Sequence, residues 1–405
     1  MEIRPILSAM FRNKTGVVLV GLQIALTLAV VANAAFIIMN RVDLMNRPKG
    51  IDSANLVIVQ SYGYGPAYDQ KETIRRDLEV IRAIPGVVAA SSTNGIPMSG
   101  GGMQESYGRS ADQTEPKVNG NIYQLDEQGV EAMGARLVEG RGFTKEEVQY
   151  NPAQQFSDFV PSVILTRAMA QALFGDEPAL GKALYEGLGQ SAVVVGVIDN
   201  MMNAWVTPES PFNVVFLPRI PSGPIARYVI RTEPGRPGNH DALIAEIEKK
   251  LVVMDLPRAI TWVRPHSYYV EKSYRSDRRM ISFLSVIVAL MIVITALGVV
   301  GLASFQVNVR TKQIGTRRAV GARRIDIIRY FMVENGLLTT GGVIAGAVFA
   351  FAFGQWLSSA YALPPLDPFY VVAGVVLLLV LGQLAVFIPA RRAAAIPPAI
   401  ATRTV

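Results

Sequence analysis

The stretch Gln306–Leu338, QVNVRTKQIGTRRAVGARRIDIIRYFMVENGLL, decides how this chain is built. It sits between two long apolar runs, Ile281–Phe305 and Gly336–Leu357. Within it Arg310, Lys312, Arg317, Arg318, Arg323, Arg324 and Arg329 stand against Asp326 and Glu334. Each Arg or Lys costs roughly 2.5–3.5 kcal/mol at the centre of a membrane helix, so this segment does not span a bilayer. A dense basic loop between two spans stays on the cytoplasmic side. Ile314, Val320, Ile325 and Ile328 are the apolar residues among the charges, and Gly315 and Gly321 interrupt them. That pattern predicts two short amphipathic helices with a bend, lying at the inner face of the membrane. Charge alone fits a solvated loop touching lipid headgroups equally well.

Outward from the loop, the apolar residues are concentrated rather than spread. The chain has 405 residues, 50% hydrophobic, with net charge +7. Gly16–Met39, Ile281–Phe305, Gly336–Leu357 and Phe369–Ile388 are each long enough to cross a hydrocarbon core, which takes about 20 residues. Further basic residues cluster at Arg4, Arg12 and Lys14 and at Arg391, Arg392 and Arg403, next to the ends of the first and fourth runs. The basic balance thus follows from membrane topology and a lipid surface, and no aromatic-interleaved stripe points to nucleic acid. Ala32-Asn33-Ala34 offers a signal-peptidase site, but the apolar run continues through Phe36–Met39, so a retained first span is expected. The orientation places 41–280 outside, with cytoplasmic segments at 1–15, 306–335 and 389–405. Arg275, Arg278 and Arg279 do not overturn it, because a long domain translocates largely regardless of its charge. They belong to an amphipathic approach, Tyr268–Met280, that brings Tyr268, Tyr269 and Tyr274 near the interface.

Two β-α-β units are legible in the outer segment. The first is strand Leu56–Gln60, helix Tyr68–Ile84 and strand Val87–Ser91 after the Pro85-Gly86 turn. The second is strand Arg227–Arg231, helix Asp241–Met254 and strand Ala259–Arg264. Ile74, Leu78 and Ile81, and Leu243, Ile247 and Leu251, recur at helical spacing. Closing the two units together gives a split ferredoxin-like subdomain, 41–94 with 225–270, and makes 95–224 an inserted second subdomain. The insertion carries a helix at Arg167–Phe174 and a strand at Ala192–Ile198, with Gly/Pro-rich links at Ser99–Gly102 and Pro218–Pro224. The fold class is therefore a four-span α-helical membrane protein with a large α+β extracytoplasmic domain.

Little in the sequence points to catalysis. There is no cysteine, which excludes thiol catalysis and thiolate zinc sites. His240 and His266 are not in metal-ligand spacing. Gly175–Ala183 resembles a phosphate loop, but it has one residue too many between its glycines, and Ala183 replaces the required Ser or Thr. The four apolar runs lack Asp, Glu, Lys, Arg and His in their interiors, which argues against an ion-coupled carrier. Gln23, Asn33, Gln355 and Gln383 are the main polar intruders, suited to hydrogen bonds with neighbouring helices. Gly342 and Gly346 form a GxxxG pattern able to bring the third span close to a neighbour, although glycine is also simply tolerated in membrane helices.

The string QIGTRRAVGARRIDIIRYFMVENGLL resembles the loop after the second span of FtsX/MacB-type permeases, which reads approximately E-I-G-x-R-[RK]-A-[LV]-G-A-x-x-x-x-[IV]…F-x-x-E. EQGVEAMGARLVEGRGFTKEE, SVILTRAMAQALFGDEPALGKAL and AVVVGVIDNM are similar, in the same order, to the periplasmic core domain of that family. With PARRAAAIPPAIATR at the end, the likeness covers nearly the whole chain. The resemblance implies the permease subunit of an ABC transporter in the bacterial inner membrane, non-catalytic itself. A separate ATPase subunit would bind ATP and Mg, and its work would move the outer domain for export of a substrate. It implies docking of that ATPase on Gln313, Ile314, Gly315, Arg317, Arg318, Ala319, Val320, Gly321, Ala322 and Ile325. It implies pairing with a second permease copy or a similar permease, and association with a periplasmic adaptor and an outer-membrane channel. The departure is Gln313, where the family pattern has Glu. Rival readings are a lipoprotein-releasing permease and an FtsX-like signalling protein that regulates a cell-wall hydrolase. The size of the outer segment favours transport.

Overall fold

The computed structural model describes residues 14–112, 117–150, 160–186, 191–206, 210–234, 239–361 and 364–397. The termini with Arg4, Arg12 and Arg403, and the His240 side chain, lie outside the described residues. The chain divides into two compact units, Asn46–Ser276 and Met1–Met45 with Asp277–Val405.

The first unit opens with β1 (Leu56–Gly63), α2 (Gln70–Arg82) and β2 (Val87–Ser92), following the long helix α1 (Lys14–Asn46) of the other unit. Its last portion is β11 (Ile225–Thr232), α5 (Asn239–Val253) and β12 (Arg258–Pro265). These two β-α-β segments meet in one antiparallel sheet of order β12-β1-β11-β2. Strand alternation sends Val57 and Val59 toward α2 and α5, where they pack with Ile74, Leu78, Ile81, Ile247 and Leu251. Leu56 and Ile58 enter a different core on the opposite face. Burial on both faces explains the unbroken apolar run at the start of β1. Helix α2 starts where Asp69 accepts a hydrogen bond from the Glu72 amide at 3.0 Å, and the chain turns at Gly86, whose φ of +93° favours glycine. One ion pair is enclosed here: Arg258 meets Asp77 at 2.6 Å, and the Tyr228 hydroxyl donates to Asp77 at 2.7 Å.

Between these segments run β3 (Met103–Gly108), β4 (Val118–Leu125), α3 (Gly129–Ala132), β5 (Leu137–Gly140), β6 (Gln149–Tyr150), β7 (Ser162–Thr166), α4 (Arg167–Phe174), β8 (Ala183–Glu186), β9 (Ser191–Ile198) and β10 (Val214–Ile220). Six of these strands close on themselves, in the order β4-β3-β8-β9-β7-β10 and back to β4. The ring mixes antiparallel pairs with two parallel ones, β7–β9 and β10–β4. Closure leaves no free edge within the ring. Helix α4 packs its Met169, Leu173 and Phe174 with Val163, Val194 and Val215 of the ring. The near-phosphate loop is the turn after α4, where Gly175 has a φ of +64° and Lys182 pairs with Glu177.

The approach to the second span departs from expectation. It is two helices, α6 (Ser267–Ser273) and α7 (Arg275–Val309), with the second continuous through the span. Tyr269 and Tyr274 are not interfacial anchors: both are buried, Tyr269 against Trp262 and Tyr274 against Met202. Aromatic bulk at the end of a domain core fills space as well as it anchors in a membrane, and periodicity alone does not distinguish the two.

In the second unit α1 and α7 are joined by α8 (Thr311–Ala319), α9 (Arg324–Tyr361) and α10 (Pro368–Ala394). Among the described residues α1, α7, α9 and α10 are long and apolar enough to cross a membrane. Asp367 caps α10 by accepting from the Phe369 amide at 2.9 Å, with Pro368 in the first turn. Polar groups in the apolar helices turn inward: Thr27 and Thr295 hydroxyls meet at 2.7 Å, Gln23 donates to the Ile294 carbonyl, and Asn33 donates to the Ala350 carbonyl. Gln355 is exposed instead. Gly342 and Gly346 do form a close-packing face, but it is occupied by α1 of the same chain. A methyl group at Gly342 would lie 2.9 Å from Ile24, and one at Gly346 would lie 2.9 Å from the Ala25 backbone. That pair is therefore an internal seam and not a free surface for a second permease.

Candidate coupling site

The basic segment folds as a helix, a sharp turn and a second helix, but its boundaries differ from the two short helices expected. Gly315 does not interrupt; it lies inside α8 and is buried. The second helix is the beginning of α9, which runs without a break into the third span. Only Gly321 breaks the path, at φ +106°. The Gly321 amide donates to the Arg318 carbonyl at 3.2 Å and the Ala322 amide to the Arg317 carbonyl at 3.0 Å. This pair of bonds closes the carbonyl end of α8 around a left-handed residue, a Schellman arrangement that favours glycine. Asp326 then accepts from the Arg323 amide at 2.9 Å and places a negative charge in the first turn of α9.

The packing sorts the segment into an inner and an outer face. Ile314 is 5% exposed and packs with Val307, Ile327, Phe331, Ala390, Ala393 and Ala394. The Arg318 guanidinium donates to the Ile396 carbonyl, and the Arg317 guanidinium lies over the Tyr330 ring at 5.0 Å. Outward stand Gln313, Ala319, Val320 and Ile325, with Val320 86% and Ile325 61% exposed. Between α8 and the start of α9 lies an open groove of ≈ 610 Å³ lined by Gln313, Thr316, Arg317, Val320, Ala322, Asp326, Ile327 and Tyr330. Its floor is apolar and aromatic, and its rim carries a cation and a carboxylate. Such a surface suits a protein partner better than a headgroup.

Of the residues singled out in the sequence, Gln313, Arg317, Val320 and Ala322 thus share one groove. Ile314 and Gly315 are beneath it, Arg318 ties α8 to the end of α10, and Gly321 makes the turn. Ala319 and Ile325 are exposed beside the groove. Thr316, Asp326, Ile327 and Tyr330 were not anticipated; the i, i+3 spacing of Ile327 and Tyr330 on a continued helix was the available signal. Among the described residues no group of His, Cys, Asp or Glu is placed to hold a metal ion.

Two family models match the chain. The MacB-like periplasmic core domain matches residues 23–264, and the FtsX-like permease C-terminal domain matches residues 285–398. The macrolide export ATP-binding/permease protein MacB of Chromobacterium violaceum is 26% identical over 301 residues, covering 69% of this chain and 43% of the relative. The protein of the same name from Bartonella quintana is 22% identical over 403 residues, covering 96% of this chain and 57% of the relative. The chain therefore spans about half the length of these curated relatives. The crystal structure of the periplasmic region of MacB from Actinobacillus actinomycetemcomitans aligns at 14% identity with a TM-score of 0.34, covering 57% of this chain and 97% of that one.

Proposed function

Because this chain belongs to the MacB/FtsX-type family of ABC transporter permeases, we propose that it is the transmembrane subunit that converts ATP hydrolysis in a partner chain into motion of its outer domain. The observation that carries the reading is the groove between α8 and α9. It is exposed, apolar at its floor and built on the ends of the second and third spans. The ATPase, with its ATP and Mg, docks there; Gln313, Arg317, Val320 and Ala322 contact it, and Ile314 and Gly315 hold the surface from beneath. The docking residues are cytoplasmic, 41–280 lies in the periplasm, and the membrane is the bacterial inner membrane. The β12-β1-β11-β2 sheet with α2 and α5 is a split ferredoxin-like subdomain, supported by its strand order and by two helices on one face. Export is the reading favoured by the relatives' names, and a periplasmic adaptor and outer-membrane channel complete the path.

A second permease, a copy of this chain or a similar one, pairs with it. With Gly342 and Gly346 covered by α1, the face open to a partner is on α7, where Phe283, Val286, Leu290, Val293 and Leu297 are exposed. Intact-complex mass measurement distinguishes the two pairings by one permease mass present twice or two masses.

The docking test changes two residues that line the groove. Arg317→Glu with Val320→Asp is expected to abolish copurification of an ABC ATPase encoded beside this chain, while the wild type retains it. Full retention by the variant removes the docking assignment. Because the chain has no cysteine, single cysteines at Asn119 and Arg323 test the orientation: an impermeant reagent outside intact cells should label Asn119→Cys and not Arg323→Cys, and labelling of Arg323→Cys would overturn it.

A further inference from the structure

The coupling helix α8 begins immediately after Arg310, and Arg310 is held by a buried side chain. Its guanidinium donates to Glu334 at 2.9 Å and to the Tyr330 hydroxyl at 3.2 Å. The carboxylate is enclosed, with the Glu334 side chain 5% exposed and the Arg310 side chain 16% exposed. Glu334 lies one turn beyond Tyr330 on α9 and is buried, outside the lining of the groove, so it does not touch a docked partner. Its other oxygen, Oε1, has no protein partner, and the residue borders a cavity of ≈ 20 Å³ shared with Gln306 and Asn335. That is room for one water molecule among polar groups. Asn335 in turn donates to the Gly382 carbonyl on α10 at 2.9 Å.

A charge in such a place is costly unless it organises something. Taking a carboxylate out of water is repaid only by close, well-oriented partners, and removing one partner strands the other. Arg310 sits at the one point where α7 gives way to α8, with φ −101° and ψ 13°, a backbone that neither helix shares. The same Tyr330 that receives Arg310 at its hydroxyl receives Arg317, near the far end of α8, over its ring. The two ends of the coupling helix are thus referred to one turn of α9, with Glu334 as the buried charge.

We propose that Glu334 is the positioning residue of the coupling element: by holding Arg310 it fixes the first turn of α8 to α9, so that displacement of the groove surface is passed to the second and third spans together. This rests on the coupling reading for its consequence, but the fastening itself is a property of this chain alone. Without the pair, α8 remains a helix and remains seated by Ile314, yet its first turn swings independently of α9.

The test measures the fastening directly in the full chain in lipid nanodiscs. A nitroxide on Lys312→Cys, an exposed α8 position, reports the first turn, and one on Lys145→Cys, exposed in the outer unit, is the control. Glu334→Ala and Arg310→Ala are each expected to speed nitroxide rotation at 312 at least two-fold, with the double variant no faster than either single one. Glu334→Gln, which keeps the volume and one hydrogen bond, should fall between. The 145 label should be unchanged throughout. Unchanged mobility at 312 in all variants, equal loosening at 145, or additive effects in the double variant would each overturn the proposal. A wild-type chain that fails to bind an ABC ATPase would refute the docking reading and leave this result standing. Where the ATPase does bind, Glu334→Gln should keep binding and lose at least half of the ATP-driven motion of the outer domain.

Discussion

The two units both bury apolar side chains, but they show opposite surfaces. In the unit Asn46–Ser276, most large apolar groups are inside, and two ion pairs are held there with them: Asp77 with Arg258, and Asp126 with Arg82 at 2.9 Å. In the helical unit, large apolar side chains such as Phe283, Leu290, Leu297 and Phe369 cover the outside, while Thr27, Asn33, Thr295, Glu334 and Asn335 are buried. Water surrounds one unit and lipid tails the other, so helix association in the second has no hydrophobic driving force between helices. Close packing and interhelical hydrogen bonds do that work instead. A substitution should therefore be judged by which solvent its unit faces, and the following changes test that rule in order of decreasing effect.

The largest effect is expected at Asp77. Its replacement by Ala strands Arg258 inside the α2–β12 core, where that guanidinium also donates to the Leu251 carbonyl at 2.9 Å. Breaking one side of a buried pair costs about 3–5 kcal/mol, whereas replacing both sides with apolar groups of similar volume can be neutral. Thermal unfolding followed by Trp262 fluorescence should show a large loss for Asp77→Ala and substantial recovery in Asp77→Leu with Arg258→Met. A double variant as unstable as the single one would mean that the ion pair specifies the sheet's packing and is more than an enclosed charge.

Next in size is a pH effect from His266. Burial lowers its pKa to about 4, and its Nε2 contacts the Pro97 carbonyl at 2.9 Å. The unfolded chain binds the proton from about 6.5 downward, so this group's contribution is complete above about 6.5 and is lost as pH falls toward and through about 4. The full span corresponds to roughly 3 kcal/mol at 1.36 kcal/mol per unit. Asp126 works in the other direction: burial raises its pKa to about 6 in spite of Arg82. The folded state holds that proton more tightly, so its contribution is present below about 4 and lost as pH rises through about 6. The two offset in the wild type. Comparing His266→Gln with the wild type should therefore isolate the histidine: the difference in stability grows in the variant's favour as pH drops from 7 to 5. A constant difference would refute the assignment.

The contrast also explains what could be read from the chain. The sheet-and-helix portion was legible because its segments are local: a strand, an amphipathic helix with Ile74, Leu78 and Ile81, and a strand after Pro85-Gly86. The strand ring was not. Its β4 reads VNGNIYQL, where Asn119, Gly120 and Asn121 resemble a turn, yet the Asn121 amide donates to the Met103 carbonyl at 2.5 Å and its oxygen accepts from the Ala204 amide at 3.2 Å. The parallel pairing of β4 with β10 joins residues far apart in sequence and has no local signature. In the basic segment the string located the element, but its charges surround both helices and do not say which side faces in. Ile314 is inward and Val320 outward because the six residues that separate them along α8, with Val320 at its C-cap, carry them to different faces of the helix.

A third test addresses the internal seam. Gly346→Ala places a methyl group 2.9 Å from the Ala25 Cα and carbonyl oxygen, against backbone that has no rotamer to yield. Overpacking of this kind costs about 1–3 kcal/mol. The neighbouring Gly341 has open space at the same distance, so Gly341→Ala is the matched control. Proteolysis rates of the full chain in nanodiscs should rise for position 346 and stay level for 341. Equal behaviour at the two positions would mean that α1 does not seat against α9.

The smallest effect on folding is expected on α7, and it is the sharpest test of the two-solvent rule. In the apolar stretch of this helix 11% of residues are buried, against 44% in that of α1. Leu290 and Leu297 are 53% and 66% exposed and share a helix face seven residues apart. In a water-soluble unit that exposure would be a liability; here it is the surface the lipid requires. Leu290→Ala with Leu297→Ala leaves the buried core clusters untouched, and surface exchanges of this kind stay within about 0.5 kcal/mol. The same exchange at Leu28, fully buried among α1, α9 and α10, should cost about 2–5 kcal/mol. If a second permease covers the α7 face, the Leu290/Leu297 variant should keep the wild-type proteolysis rate of the chain while lowering the share of paired complexes in intact-mass spectra. A variant that unfolds as readily as Leu28→Ala would show that α7 is held by contacts within the chain, and a variant with unchanged pairing would place the second permease on another face.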